Sequence, residues 1–463
     1  MKKLLLILVI AIFVVSMLVS GIGCKEETAV VEETETEEVA VEETETEEAT
    51  VEEASGEPKT LVVWVDVSDT EPAGLAWIEV VNNYKEVHPE ITIEMYFGGR
   101  DVINKLMPAR AAGEKIDLIT SGYALQKSSL IDEGFALTLD DYLETPSFDG
   151  DTSWRESLMA SILESAALED GSIPMLCQTA MTSGFTYNKK LWRDNGWVVP
   201  QTWDEYLALC ETIKTTTDIA PIAQDGGIDF YNIMWNYLIL QRMLGVGAIT
   251  DATENETGES WISNPAFKQS IEMEKALIAN DYFIEGFTGF TWPAGQNELA
   301  FGNAAMELNG SWLPMELSTL VDDDWEWGFF PVPAVDGGKG KTTEIELFTT
   351  GWVVLNDGEN IPESIDFLKF LSSKSQMQIV TDLTNVIYST LGVTPPGPQA
   401  DVVKIFENAT ATFRGADTLQ DQYPEFFSGV YIKNHELAFK GDMTPEEFVN
   451  AMKADTISFW ENK

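Results

Sequence analysis

From Lys59 onward, short apolar runs alternate with longer amphipathic ones, and this alternation limits the possible folds more than any other feature of the chain. Leu61–Val65 (LVVWV) is a nearly continuous apolar run, the pattern of a parallel strand buried on both faces. Residues 76–85 then put Trp77, Val80, Val81 and Tyr84 on one face of a helix. Ile91–Phe97 (ITIEMYF) alternates as a strand, Val102–Ala112 reads as a helix ended by Gly113, and Ile116–Thr120 as a third strand. Strand–helix–strand repetition predicts an α/β domain with a mostly parallel sheet.

Further helices carry start signals. Thr202 and Glu205 in TWDE have capping-box spacing, with Pro200 just ahead. Trp203, Tyr206, Leu207, Cys210 and Ile213 then share one face. Asn264–Pro265 and Pro362 open two more helices, and Thr444, Pro445 and Glu447 a last one running towards Trp460.

Before Lys59 the chain has a different character. Lys2 and Lys3 precede an apolar run from Leu4 to Val19, broken only at Ser16, and the small residues Ser20, Gly21 and Gly23 lead to Cys24. This order reads as a secretory signal over residues 1–23. The small residues ahead of Cys24 resemble a bacterial lipobox, which implies lipidation of Cys24; Gly21 departs from the Leu usual there. The alternative is an uncleaved anchor helix, for which the run is short. A near-exact ten-residue repeat follows, VEETETEEVA then VEETETEEAT. Residues 25–58 hold fifteen Glu against one Lys, so burial cannot offset the entropy of ordering them, and self-repulsion extends them. Residues 24–58 therefore read as an acidic, disordered tether.

Charge and composition exclude several functions. The net charge is −49, and −37 without the leader and tether, which argues against nucleic acid and against electrostatic docking on anionic lipid. Two His and three Cys make a His- or Cys-based metal site improbable, and no cofactor motif is present. The spacing of Cys177 and Cys210 does not decide whether they pair; Cys210 lies on an apolar helix face, as a core thiol would. There is no GxSxG elbow, HExxH or phosphate loop. Fourteen Trp supply flat surfaces for packing or for gripping a ligand.

The order of motifs resembles a known family. LVVWVDVSD, NNYKEVHPEITIEMYF and KLMPARAAGEKIDLITSGYALQKSSLIDEGFALTLDDYL resemble the first lobe of large sugar-type extracellular solute-binding proteins, the maltose-binding-like capture subunits of ABC importers. IPMLCQTAMTSGFTYNKKLWRDNGWVVPQTWDEYLALCETIK resembles their crossover, FGNAAMELNGSWLP their AM-x-x-x-G-x-W segment, and WEWGFFPVPAVDGG with FTTGWVVLNDGENIPESIDFLKFLSS their return. The similarity covers residues 59–463. It implies a type II periplasmic-binding-protein fold of two α/β lobes, each a mostly parallel sheet flanked by helices. Three hinge crossings are placed near Leu176–Ala180, Phe330–Ala334 and Thr384–Leu391. The first lobe then comprises 59–177 with 331–383, and the second 178–330 with 384–463. The implied function is capture of a carbohydrate by lobe closure, with no chemical step, and delivery to ABC-transporter permease subunits. The implied protein is an extracytoplasmic, lipid-anchored monomer that does not bind nucleic acid.

A sugar cleft needs short polar side chains for hydroxyls and aromatic faces for the C–H surface. The resemblance puts Trp312 against the ligand and Trp352 near the hinge, each with core packing as its alternative. Asn309 in the same turn as Trp312 either meets a hydroxyl or holds the turn. Asp66 and Tyr123 follow strands, where α/β ligand sites form, and are otherwise loop residues. Gln178 and Thr179 lie at the first crossover, and Tyr231, Trp235 and Trp292 on second-lobe elements; the apolar run around Trp235 equally suits a buried helix. Arg414 reaches the cleft or forms a surface pair near Asp417. Trp64, inside the first strand, reads as core. Rival functions are a lipid-anchored sugar sensor and a secreted carbohydrate-active enzyme. The latter needs a carboxylate pair, and the many acidic residues make candidate pairs uninformative.

Overall fold

The computed structural model describes residues 59–168 and 170–463; the expected signal segment, Cys24 and the acidic tether lie outside them. The first lobe begins with β1 (Lys59–Val65), α1 (Pro72–Val87), β2 (Ile91–Phe97), α2 (Val102–Ala111) and β3 (Leu118–Gly122). Parallel β2 and β3 flank β1. Leu61, Val63 and Val65 of β1 join an apolar cluster with α1, while Trp64 joins another with α2. Burial on both faces explains the continuous apolar run of β1. The alternation of β2 marks the strand at the sheet edge, half of which faces water.

The chain crosses through β4 (Leu176–Cys177) and β5 (Thr179–Ala180) into β6 (Ser183–Asn188). The second lobe continues with α3 (Trp203–Thr216), β7 (Ala220–Ala223), α4 (Asp229–Leu244), α5 (Pro265–Ala279), α6 (Ala294–Ala300), β8 (Ala304–Gly310), α7 (Leu313–Leu317) and β9 (Trp327–Phe330). After β10 (Glu344–Glu346) the chain rejoins the first sheet as β11 (Thr350–Val354), followed by α8 (Ile361–Leu371) and α9 (Lys374–Thr384). It then crosses again at β12 (Ile387–Tyr388), adds β13 (Ala411–Phe413), and closes with α10 (Pro445–Glu461). Capping boxes form at both expected places, Thr202 with Glu205 on α3 and Thr444 with Glu447 on α10. Cys177 and Cys210 are both buried free thiols.

Two expectations are corrected. The sheets, ordered β2-β1-β3-β11-β4 and β7-β8-β6-β9, are mixed rather than mostly parallel. In the first, β11 runs antiparallel to β3 and β4; in the second, β6 runs antiparallel to β8 and β9. Parallel neighbours need a long crossover, usually a helix, whereas β6 and β11 enter their sheets directly from short crossings. The second crossing also lies later than Phe330–Ala334. Residues 331–346 stay with the second lobe: Arg242 Nε donates to Val332 O at 2.8 Å and Trp203 N to Ala334 O at 2.8 Å. Tyr237 OH donates to the Glu346 carboxylate at 3.0 Å. A buried Arg242 must find carbonyl acceptors, and it takes them from this segment. The return to the first lobe falls at residues 347–350, where Phe348 and Met181 exchange backbone bonds. There β5 and β12 pair as a short antiparallel ribbon.

Candidate functional site

A cavity of about 420 Å³ opens where the carboxyl ends of β1 and β3 face the start of α4 and the turn after β8. A larger, open hollow of about 1000 Å³ lies on the second lobe beside Lys214, Asp218 and Glu298. Its lining residues include no tryptophan and none of the three crossings. The smaller cavity is therefore the candidate site: strand ends, crossings and both lobes meet there.

The second-lobe wall is aromatic, with carboxyl groups beside and behind it. Trp312 folds back over Gly310, where an added Cβ would come within 1.9 Å of the indole. Glycine is thus required at that point for close approach. The indole stands edge-on to Phe348 of the second crossing, with centroids 5.4 Å apart at 77°. Tyr231, near the start of α4, lies beside it. Glu316 of α7 lines the cavity and accepts bonds from Gln296 Nε2 at 2.8 Å and Trp292 Nε1 at 3.2 Å. Burial raises its pKa, while these donors and Arg100 across the cavity lower it. Deeper in the lobe, Asp225 accepts the Gly295 amide at 2.5 Å and the Gln296 amide at 3.3 Å, at the start of α6, and burial raises its pKa. Glu307 of β8 is fully buried, and burial pushes its carboxyl up to about 8. Among the described residues it has one hydrogen-bond partner, Asn309 Nδ2 at 2.9 Å.

The first-lobe wall is held by hydrogen bonds. Burial raises the Asp66 carboxyl, just past β1, to about 6 against the pull of Arg100. Arg100 follows the Gly98–Gly99 turn after β2, where Gly99 has φ +67°. It donates to Asp66 O at 2.6 Å and to Glu71 Oε2 at 2.6 Å. Trp77 of α1 supplies an apolar floor, and Gln178, Thr179, Thr350 and Tyr388 line the hinge side. Thr179 Oγ1 accepts the Thr350 amide at 2.7 Å, tying the first crossing to the second.

The sequence profile of the bacterial extracellular solute-binding proteins matches residues 68–378, which take in strands of both sheets. This chain belongs to that family. A multiple sugar-binding protein of Streptococcus mutans is 26% identical over 227 residues, 48% of this chain and 52% of that protein. The chain thus spans about half the length of this curated relative. A structure from work on xylan utilization by Caldanaerobius polysaccharolyticus superposes with TM-score 0.71 at 21% identity, covering 86% of this chain and 99% of that one. A Bacillus licheniformis sugar transporter structure in complex with stachyose superposes with TM-score 0.67 at 18% identity, covering 86% and 98%. At these identities the superpositions establish the fold, a type II binding-protein architecture.

In this solute-binding protein, five of the residues singled out in the sequence, Asp66, Gln178, Thr179, Tyr231 and Trp312, come together around the cavity. The other suggested residues do not line it. Trp352 is buried in β11, its Nε1 donating to Gln178 Oε1 at 2.7 Å, and it meets Trp77 edge-on at 5.5 Å. It stands behind two residues that do face the cavity. Trp235 is core, bonded to Gln224 Oε1 at 3.1 Å and packed on Phe185 and Phe283. Asn309 spends its amide on Glu307 and accepts the Gly310 amide at 2.8 Å, so it holds the turn. Tyr123 is buried beneath Arg414, whose guanidinium sits 3.8 Å from the ring centroid. Arg414 also donates to Ser165 O at 2.6 Å and Thr349 Oγ1 at 3.2 Å, so it joins β13 to the first lobe and the second crossing. Asp417 is not its partner; it accepts the amides of Gly247 and Ile249. Trp292 is half-exposed and touches the site through Glu316.

Arg100, Trp77, Phe230, Glu316 and Tyr388 also line the cavity, and the sequence did not point to them. Arg100 had a usable signal, because it follows the carboxyl end of a strand as Asp66 does. Trp77 read only as a helix-face residue, Tyr388 lay within the expected third crossing without being singled out, and nothing local distinguishes Glu316 from the many other acidic residues.

Proposed function

We propose that this chain is a lipid-anchored solute-binding protein that captures a mono- or oligosaccharide by lobe closure and delivers it to an ABC-transporter permease. The observation that carries this reading is the cavity itself. Trp312 and Tyr231 offer aromatic faces from one lobe, Asp66 offers a carboxylate from the other, and Gln178 and Thr179 offer short polar groups from the hinge. That combination suits the C–H face and scattered hydroxyls of a sugar. The sugar-binding function named for the Streptococcus mutans relative and the stachyose held by the Bacillus licheniformis structure support the same class. In this reading residues 1–23 are the export signal, Cys24 carries the lipid, residues 24–58 are the tether, and the protein works as an extracytoplasmic monomer.

The decisive experiment is a thermal-shift screen of neutral sugars, amino acids, polyamines and metal complexes. A ligand that binds only the native state raises the melting temperature. Sugars should do so, and an amino acid or polyamine shift with no sugar shift would sink the reading. Asp66 and Glu316 face one cavity as two carboxyls with raised pKa values, so a glycosidase reading has a specific basis. Incubating the protein with each binding sugar and analysing products by chromatography separates the two; any turnover would favour the enzyme.

A further inference from the structure

Arg100 and Glu316 line the same cavity, one from the β2–α2 connection of the first lobe and one from α7 of the second. They do not form an ion pair in this structure; the Arg100 guanidinium is paired with Glu71. Glu71 precedes α1, so its bond to Arg100 lies wholly within the first lobe. The other Glu71 oxygen accepts the Ser68 amide at 2.8 Å, which fixes the carboxylate. Glu316 is also pre-oriented. Both of its donors, Gln296 and Trp292, bond to Oε2, and no hydrogen bond occupies Oε1 among the described residues. A guanidinium has five donors in a fork, so Arg100 can keep Asp66 O on Nη1 while Nη2 exchanges one carboxylate for another.

We propose that lobe closure transfers the Arg100 guanidinium from Glu71 to Glu316, making a cross-cleft clamp on the closed form. The proposal rests on the capture-by-closure reading. Rotation about the crossings brings the two walls together, and of the two Arg100 pairings only that with Glu316 spans them. The Arg100–Glu71 contact competes with it and so favours the open form. A ligand that needs the closed form binds more weakly when closure is made harder and more tightly when it is made easier. The two glutamates should therefore act with opposite sign, although only Glu316 lines the cavity.

The test uses the full-length protein with raffinose, stachyose, xylotetraose and N,N′-diacetylchitobiose as probes, measuring Kd by calorimetry and dissociation by stopped-flow fluorescence. Glu316→Gln should weaken binding about two- to fivefold, chiefly through faster dissociation, as for a partly exposed pair. Glu71→Gln, which keeps an acceptor for Ser68, should tighten binding by a similar factor. In an Arg100→Gln background neither change should have any further effect. The clamp is overturned if Glu71→Gln fails to tighten binding, or if the Arg100 and Glu316 losses multiply instead of overlapping. If none of the probes binds, the proposed capture of these sugars fails on its own, and the ligand-free protein still tests the clamp. Spin labels on Val87→Cys and Val198→Cys, both exposed and in different lobes, report the interlobe distance in a Cys24→Ser background with Cys177 and Cys210 buried. Glu316→Gln should shift that distribution towards longer distances and Glu71→Gln towards shorter ones; an unchanged distribution in both would overturn the proposal.

Discussion

The two walls of the cleft are built by different means. On the second-lobe side, Trp312 and Tyr231 face the cavity, Glu316 stands beside them, and Asp225 and Glu307 lie buried deeper. On the first-lobe side, Trp77 lines the cavity and is itself supported from behind by Trp352, which also bonds Gln178. One wall thus presents Trp312 to the cavity, and the other sets Trp352 behind the cavity-lining residues Trp77 and Gln178. An aromatic residue at a cleft can act by contact or by support, and the two roles predict different losses.

The largest effect should come from the supporting residue. Trp352→Ala should cost about 3–5 kcal/mol of folding stability, as large-to-small core changes do, read by urea denaturation of the ligand-free protein. Normal stability with lost binding would reverse the comparison and make Trp352 a contact residue.

Trp312→Ala should do the converse. Lost burial of about 1.5–3 kcal/mol and lost aromatic contact of about 0.5–1.5 kcal/mol predict a roughly thirty- to two-thousandfold weaker Kd. Because Trp312 is only half-buried, apo stability should change less than in Trp352→Ala. A stability loss as large as that of Trp352→Ala, with affinity retained, would place both residues in the core. Gly310→Ala sharpens the test, since its methyl group displaces the indole and should weaken binding while leaving Trp312 in the chain.

The carboxyls of the second wall predict a pH effect. Glu307 rises from 4.5 to about 8 on folding, so between those values the native state holds a proton that the unfolded chain has released. Stability should therefore fall as pH rises through that window, by up to about 1.4 kcal/mol per unit. Glu307→Gln should flatten the fall of melting temperature between pH 5 and 8. Buried Glu346, near the hinge and also raised to about 8, should keep part of the slope in that variant. An unchanged slope in Glu307→Gln would mean that the second wall does not bury an ionisable group at a cost.

The smallest effect should follow removal of residues 25–58. Among the described residues, those that line the cavity all lie beyond this segment, so affinity and melting temperature should be unchanged. A tenfold loss, about 1.4 kcal/mol, would add a third contributor to the two walls.

Much of the architecture is legible in the order of residues alone. Local rules apply to β1, β2 and α2, and to the capping boxes of α3 and α10, because periodicity and cap chemistry act over a few neighbouring residues. The order of motifs identified the family, and the position of Asp66 past a strand end was enough to bring it to the cleft. The site is only partly legible. Trp312 and Trp352 sit in similar settings, Gly-Ser-Trp and Thr-Gly-Trp, yet one lies in a turn past β8 and the other within β11. A strand residue faces whatever layer covers its side of the sheet, here α1 and α8, and that layer is set by distant segments. Sheet direction and the second crossing were decided in the same way. Arg242 draws in residues some ninety positions away because a buried guanidinium must be bonded, and no local pattern reports which carbonyls it will take. The sequence by itself determined the elements, their caps and the family; only the tertiary structure decided which aromatic residues meet the cavity and which support it, because that depends on contacts between residues far apart in the chain.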